Sequence, residues 1–122
     1  MAIQSFEIIS VPVADQARAK KFYLEALGFS LVREEAMGPD TKWIQLKPKG
    51  SDTTISLVQG FGSMGPGGLQ GVMLNSDDLD QDFAELSGHG VKLTAIEQQP
   101  WGRFTMFSDP DGNGWILRQP LG

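Results

Sequence analysis

The feature that most constrains this chain is an order of elements that occurs twice. A predicted helix begins after Asp15 and ends at Gly28, and a second begins after Asp78 and ends near residues 88–90. Asp78 lies 63 residues after Asp15, about half of a chain of 122 residues. We therefore interpret the sequence as an internal duplication of about sixty residues.

Both predicted helices have the same kind of beginning and the same kind of apolar face. An aspartate at the N-cap accepts hydrogen bonds from the free amides of the first turn. Apolar residues then recur three and four positions apart, which places one stripe on the side of a helix that faces a core. The stripes are Ala19, Phe22, Tyr23 and Ala26 in the first half, and Leu79, Phe83 and Leu86 in the second.

Each half has room for one strand before its helix and three strands after it. The strands predicted in the first half span residues 6–13, 29–34, 42–47 and 53–59. Those of the second half are a strand through Leu74 and residues 91–97, 103–108 and 114–119. The predicted fold is α+β, with two βαβββ modules in one domain. The repeats cover residues 1–59 and 71–122, and a Gly-rich linker, residues 60–70, joins them.

Composition restricts the class of protein. The chain is 40% hydrophobic and 20% charged, with a net charge of −5, so it is a poor electrostatic partner for nucleic acid or an anionic membrane. It has no cysteine, which excludes disulfides and thiolate metal sites. No segment approaches 18 apolar residues. We expect a soluble, cytoplasmic protein with neither nucleic-acid nor membrane partners.

The phrase "VADQARAKKFYLEALGF" lies in the first half, and the phrase "SDPDGNGWIL" closes the second. Together with the duplicated βαβββ order, they resemble the vicinal oxygen chelate superfamily, which includes glyoxalase I, bleomycin-resistance proteins and extradiol dioxygenases. The resemblance covers essentially the whole chain. It implies an open mixed β-barrel of eight strands, and it implies a homodimer, since similar proteins usually pair.

The same resemblance locates the positions at which enzymes of that family bind a metal ion with His or Glu. Here these positions hold Ile8, Ser56, Gly71 and Ile116. Hydrocarbon, a neutral hydroxyl and an absent side chain are poor ligands for a divalent ion. Glu7 neighbours the first position, but strand alternation points it to the opposite face. The residues at these four positions argue against a metal-dependent enzyme. We therefore expect neither a metal nor a cofactor.

Asp109, Asp111 and Asn113 match the first half of a calcium-binding loop. The twelfth position of such a loop should hold a bidentate glutamate, but it is Pro120, and Pro110 lies inside the loop. Asp, Asn, Pro and Gly are also ordinary turn residues. We interpret the segment as the turn before the last strand.

Two other motifs have ordinary structural interpretations. Gly60, Gly62 and Gly65 form G-x-G-x-x-G, but residues 66–68 are Pro-Gly-Gly and begin no helix that could bind a pyrophosphate. His89, the single histidine, lies at the end of the second predicted helix, where a solvated capping residue is expected.

Strand alternation, applied outward from the metal-ligand positions, predicts a mixed apolar and polar surface typical of a small-molecule pocket. The pocket residues predicted in this way are Ile8, Ser10, Ser56, Met73, Asn75, Ile116 and Arg118. Trp43, Trp101 and Arg103 are added because they lie where strand edges meet loops, and aromatic rings with an arginine suit a planar or anionic ligand. Gln45 is added as a polar group that can orient a ligand. Two functions remain open. One is a metal-free protein that binds a small amphiphilic or aromatic molecule. The other is an enzyme of the family, a lyase, isomerase or dioxygenase, with a displaced or metal-independent site and unknown catalytic residues.

Overall fold

The computed structural model describes residues 1–60 and 62–121, and within these ranges it contains two copies of a βαβββ module. The first consists of β1 (Ile8–Pro12), α1 (Gln16–Lys21), a π-helical segment (Phe22–Ala26), β2 (Ser30–Ala36), β3 (Lys42–Lys47) and β4 (Thr54–Val58). The second consists of β5 (Val72–Asn75), α2 (Leu79–Gly88), β6 (Glu97–Gln99), β7 (Gly102–Ser108) and β8 (Gly114–Gln119). The predicted pair of βαβββ modules is confirmed.

The strands form two mixed sheets of four, with the orders β1-β4-β3-β2 and β5-β8-β7-β6. The first and last strands of each module, β1 with β4 and β5 with β8, pair in parallel. The remaining neighbours are antiparallel. The sheets do not close on each other, as expected for an open barrel.

Both helices begin where the sequence predicts. The side chain of Asp15 accepts a hydrogen bond from the amide of Arg18, and that of Asp78 accepts one from Gln81, each at 3.1 Å. The first helix nevertheless differs from the single α-helix predicted up to Gly28, because its last turn is π-helical. In this segment the ring of Tyr23 packs against that of Phe22 in an edge contact, with the centroids 5.2 Å apart.

The two modules share one core, formed by their helices and by the helix-facing sides of both sheets. Its buried side chains include Val11 and Leu57 from the first sheet and Trp115 from the second. Tyr23 connects the halves, because the indole of Trp115 donates a 3.0 Å hydrogen bond to its hydroxyl. The opposite face of each sheet, which we call its open face, is turned away from this core.

The strand predicted at residues 91–97 is wrong in its bounds, since β6 begins only at Glu97. Before it, Leu93 forms an isolated bridge to Phe107. Threonine hydroxyls interrupt the regular ladder here. The hydroxyl of Thr94 accepts from the amide of Met106 at 2.9 Å, and the hydroxyl of Thr105 donates to the Thr94 carbonyl at 2.6 Å. Such side-chain bonds compete with strand pairing.

The described part of the predicted linker lies against the turn between β7 and β8; Phe61 and the terminal Gly122 fall outside the described residues. The amide of Leu69 donates to Asn113 Oδ1 at 3.1 Å, and the Gln70 side chain donates to the carbonyl of Gly112 at 2.9 Å. These bonds hold the segment that leads into β5 in place. Among the helices within residues 1–60 and 62–121, none is long and apolar enough to cross a bilayer.

Candidate functional site

The open face of the first sheet carries five of the residues predicted for a pocket. Strand register places Ser10 opposite Ser56, and Gln45 opposite Ser56 on its other side. Because paired residues project on the same side of a sheet, these side chains form one row. Ile8 lies two residues before Ser10 and Trp43 two before Gln45, so they extend the same face.

A chain of hydrogen bonds orients the polar groups on this face. The indole of Trp43 donates to Gln45 Oε1 at 3.1 Å, and Gln45 Nε2 donates to the Thr54 hydroxyl at 2.8 Å. That hydroxyl in turn lies 3.2 Å from the backbone carbonyl of Glu7. The Gln45 amide is therefore held in one orientation beside an aromatic ring, which suits recognition of a polar group on a ligand.

The open face of the second sheet is more apolar and more aromatic. Ile116 of β8 is flanked by Met73 and Met106, while the rings of Trp101 and Phe104 stack with their centroids 4.9 Å apart. Met73, Trp101 and Met106 are 45%, 42% and 43% exposed, respectively. Exposed thioether and aromatic side chains are adaptable contacts for a planar molecule.

Arg118 lies among these aromatic and apolar groups. Its Nε donates to the backbone carbonyl of Trp101 at 2.7 Å, and its Nη1 lies 3.5 Å from Asn75 Oδ1. Three predicted pocket residues are thus brought together. Arg103 is not part of this group, because its register partner is Gln119 on the helix-facing side. There its guanidinium binds the carboxylate of Asp80 at 3.0 and 3.1 Å.

Phe104 and Met106, which are not among the predicted pocket residues, lie beside Arg118 and Ile116 of β8 on this open face. They belong to a strand whose side chains alternate, and Phe107 is buried on the core side. Placing Phe107 in the core would have turned Phe104 and Met106 to the open face and Arg103 away from it.

Within one chain the two open faces do not enclose a common cavity among the grooves found in the described residues. Met73 and Asn75 line a groove of about 670 Å³ that also includes Phe29 and Glu85. Ile116 lines another, of about 820 Å³, with side chains such as His89, the exposed C-cap residue of α2. Neither groove includes a predicted pocket residue of the first sheet, so the two open faces form separate surfaces in the single chain.

The residues at the family's metal-ligand positions do not fit a divalent ion. Ile8 and Ile116 offer hydrocarbon, Gly71 has no side chain, and Ser56 is buried between strands that contribute hydroxyl and amide groups. No group of three or more His, Cys, Asp or Glu side chains within residues 1–60 and 62–121 could hold a metal. No chemistry routed through a metal follows from these positions.

The turn that resembles a calcium loop uses its oxygens internally. Asp109 Oδ1 accepts from the amides of Asp111 and Asn113, each at 2.9 Å. Its Oδ2 accepts from the Tyr23 hydroxyl at 2.6 Å and from Asn113 Nδ2 at 2.8 Å. Burial, followed by the charge of Asp109, raises the pKa of Tyr23 well above its usual value. The turn joins the two modules.

Comparisons with known proteins are consistent across sequence and structure. The family model described as Glyoxalase/Bleomycin resistance protein/Dioxygenase superfamily matches residues 5–117. The crystal structure of TnmS3, an antibiotic binding protein from Streptomyces sp. CB03234, is 47% identical over 99% of both chains, with a TM-score of 0.93.

Two further crystal structures are similar to this chain. A glyoxalase/bleomycin resistance protein from Streptomyces sp. CB03234 is 47% identical, over 94% of this chain and 100% of its own, with a TM-score of 0.85. A member of the same superfamily from Sphaerobacter thermophilus is 33% identical, over 98% and 99%, with a TM-score of 0.87.

Proposed function

Because the chain belongs to the Glyoxalase/Bleomycin resistance protein/Dioxygenase superfamily, we propose that it is a metal-free binding protein for a small aromatic or amphiphilic molecule of the antibiotic type. It would hold this molecule non-covalently against the open faces of its sheets. The name of TnmS3 as an antibiotic binding protein, at 47% identity over 99% of both chains, supports this class of ligand.

The observation that carries the proposal is the stacked pair of Trp101 and Phe104 on the open face of the second sheet. Its rings are 4.9 Å apart and inclined by 26°, and Trp101 is partly exposed. A planar ligand can extend such a stack. The polar groups of Asn75 and Arg118 lie near it and can orient a ligand. They suit binding rather than proton transfer, which near neutral pH needs a group that titrates there.

The proposal includes a homodimer in which the open faces of two chains enclose the ligand. Each chain would contribute an open face to one side of the binding site, and in a single chain that face is left uncovered. Ile3 and Phe6, which precede the edge strand β1, are also exposed, so additional apolar surface is available for contact with a second chain. Exposed apolar patches of this kind are typical of interaction sites. We place the protein in the cytoplasm.

A thermal-shift screen of aromatic antibiotics, repeated with divalent metals and with a chelator, tests this function. We expect at least one compound to stabilise the protein equally under both conditions, by about 2.7 kcal/mol at a hundred times its Kd. Calorimetry should give a matching affinity. Trp101→Ala should abolish the shift, whereas Met37→Ala, in the exposed loop after β2, should preserve it.

The enzyme alternative would replace this proposal if stabilisation required a stoichiometric divalent ion, or if the bound compound were converted to a product. Product analysis by mass spectrometry of the same mixtures distinguishes conversion from simple binding.

A further inference from the structure

Arg118 differs from the other arginines of the chain in its partners. Three of the four arginines form ion pairs: Arg18 with Asp111, Arg33 with Glu35, and Arg103 with Asp80, at 2.9 to 3.0 Å. Within residues 1–60 and 62–121, Arg118 has no carboxylate within ion-pair distance. In a chain with 15 acidic residues and a net charge of −5, this guanidinium thus has no carboxylate partner among the described residues.

The guanidinium of Arg118 is nevertheless held in place by neutral groups. The 2.7 Å bond from Nε to the Trp101 carbonyl fixes its plane next to the stacked rings, and the contact of Nη1 with Asn75 supports it from the neighbouring strand. A guanidinium has five N–H donors. These two contacts use two of them and leave the remaining donors, including both on Nη2, for another acceptor.

The backbone at Gly102 makes room for this arrangement. Gly102 has a φ of +139°, and a Cβ atom added there would lie 3.1 Å from Arg118 Nε and 2.7 Å from the carbonyl oxygen of Gln119. A side chain at this position would therefore press on the guanidinium from the strand beside it. Glycine tolerates both the conformation and the close approach.

We propose that Arg118 is the specificity-determining residue for a ligand that is an aromatic anion. The ring system of the ligand stacks on Trp101 and Phe104, and an anionic oxygen on that ring accepts hydrogen bonds from the free donors of Arg118. Charge-assisted bonds from a planar guanidinium are strong and directional, which suits a carboxylate, a sulfonate or an ionised phenol. This inference rests on the proposed binding function and specifies its ligand class.

Two fluorescent probes that share a ring system test the charge assignment. They are 1-anilinonaphthalene-8-sulfonate and its neutral counterpart without the sulfonate, N-phenyl-1-naphthylamine. We expect the protein to bind the sulfonate more tightly. Arg118→Met should weaken sulfonate binding about tenfold or more and weaken binding of the neutral probe by much less. Arg118→Lys should recover part of the loss, because it keeps the charge but not the planar donors.

Arg103→Met is the matched control, since it removes an arginine from the adjacent strand on the helix-facing side; its preference for the sulfonate should match that of the unsubstituted chain. Binding of both probes with equal affinity, or equal losses for both in Arg118→Met, would overturn the role of Arg118 and leave the binding function standing. Failure of both probes to bind the unsubstituted chain would count against the proposed function itself, and this inference would fall with it.

Discussion

The phenol of Tyr23 donates a 2.6 Å hydrogen bond to the carboxylate of Asp109, and this bond joins the helix of the first module to the last turn of the second. Trp115 donates to the same phenol at 3.0 Å. The hydroxyl of Tyr23 is thus both a donor and an acceptor at the contact between the modules, where all three side chains are buried. It is the only tyrosine of the chain.

Replacing Tyr23 by phenylalanine should destabilise the fold. Asp109 would lose one of its four hydrogen bonds, and the buried indole N–H of Trp115 would lose its acceptor. A buried donor left without an acceptor costs about 1 to 3 kcal/mol. We expect the free energy of unfolding in urea to fall by about this amount. An unchanged unfolding free energy would mean that the modules are held together elsewhere.

The same residue should make stability depend on alkaline pH. Burial raises the pKa of Tyr23, so the folded chain keeps its proton while the unfolded chain releases it near pH 10. The stabilisation is fully present below about pH 10 and declines above it, by at most about 1.4 kcal/mol per pH unit for one proton. Urea unfolding between pH 8 and 11 measures this. Tyr23→Phe should show a shallower decline, and identical slopes in the two proteins would contradict the assignment.

Gly102→Ala should reduce both stability and ligand preference. The added Cβ, 2.7 Å from the Gln119 carbonyl oxygen, forces the backbone to move and pushes on Arg118. Backbone strain of this kind costs on the order of 1 to 3 kcal/mol. We expect a loss of the preference for the sulfonate probe. Gly28→Ala is the control, because its φ is also positive but its Cβ would meet nothing within 4 Å. It should keep the preference, and an equal effect of both substitutions would contradict the role given to Gly102.

The oligomeric state can be tested by changing an open face. Sedimentation at micromolar concentration should give twice the mass of the chain. Met106→Glu, on the open face of the second sheet, should shift the population towards the monomer, because it would bury a charge between two chains. Ala84→Glu adds the same charge on the exposed side of α2 and should leave the mass unchanged. A monomer for the unsubstituted chain would overturn the proposed dimer.

The sequence predicted the fold because the repeated order of elements, the helix caps and strand alternation are all patterns in the order of residues. Asp15 and Asp78 cap helices as predicted, and Trp115 and Leu117 alternate into the core. The side of the sheet to which each side chain points was harder to predict where one strand carries polar and apolar residues on both sides. Arg103 is predicted in the pocket from its position near Trp101, where a strand edge meets a loop, and its bond to Asp80, 23 residues earlier in the chain, leaves no pattern in the sequence.

The π-helical segment could not be predicted either. The stripe of Ala19, Phe22 and Tyr23 is compatible with an ordinary α-helix, and Tyr23, inside the π-helical segment, bonds to Trp115, 92 residues away. Contacts over such distances leave no periodic pattern in the sequence. The aromatic stack of Trp101 and Phe104 likewise depends on the turn that precedes β7.

The indole N–H resonances of the three tryptophans test most directly where a ligand binds. In a ¹⁵N-labelled protein, titration with 1-anilinonaphthalene-8-sulfonate should shift the signals of Trp101 and Trp43, which lie on the open faces. The signal of Trp115, buried in the core and bonded to Tyr23, should stay in place. Substituting each tryptophan by phenylalanine assigns the three signals. A saturable shift of Trp115 alone, or binding without movement of Trp101, would contradict a site on the open faces.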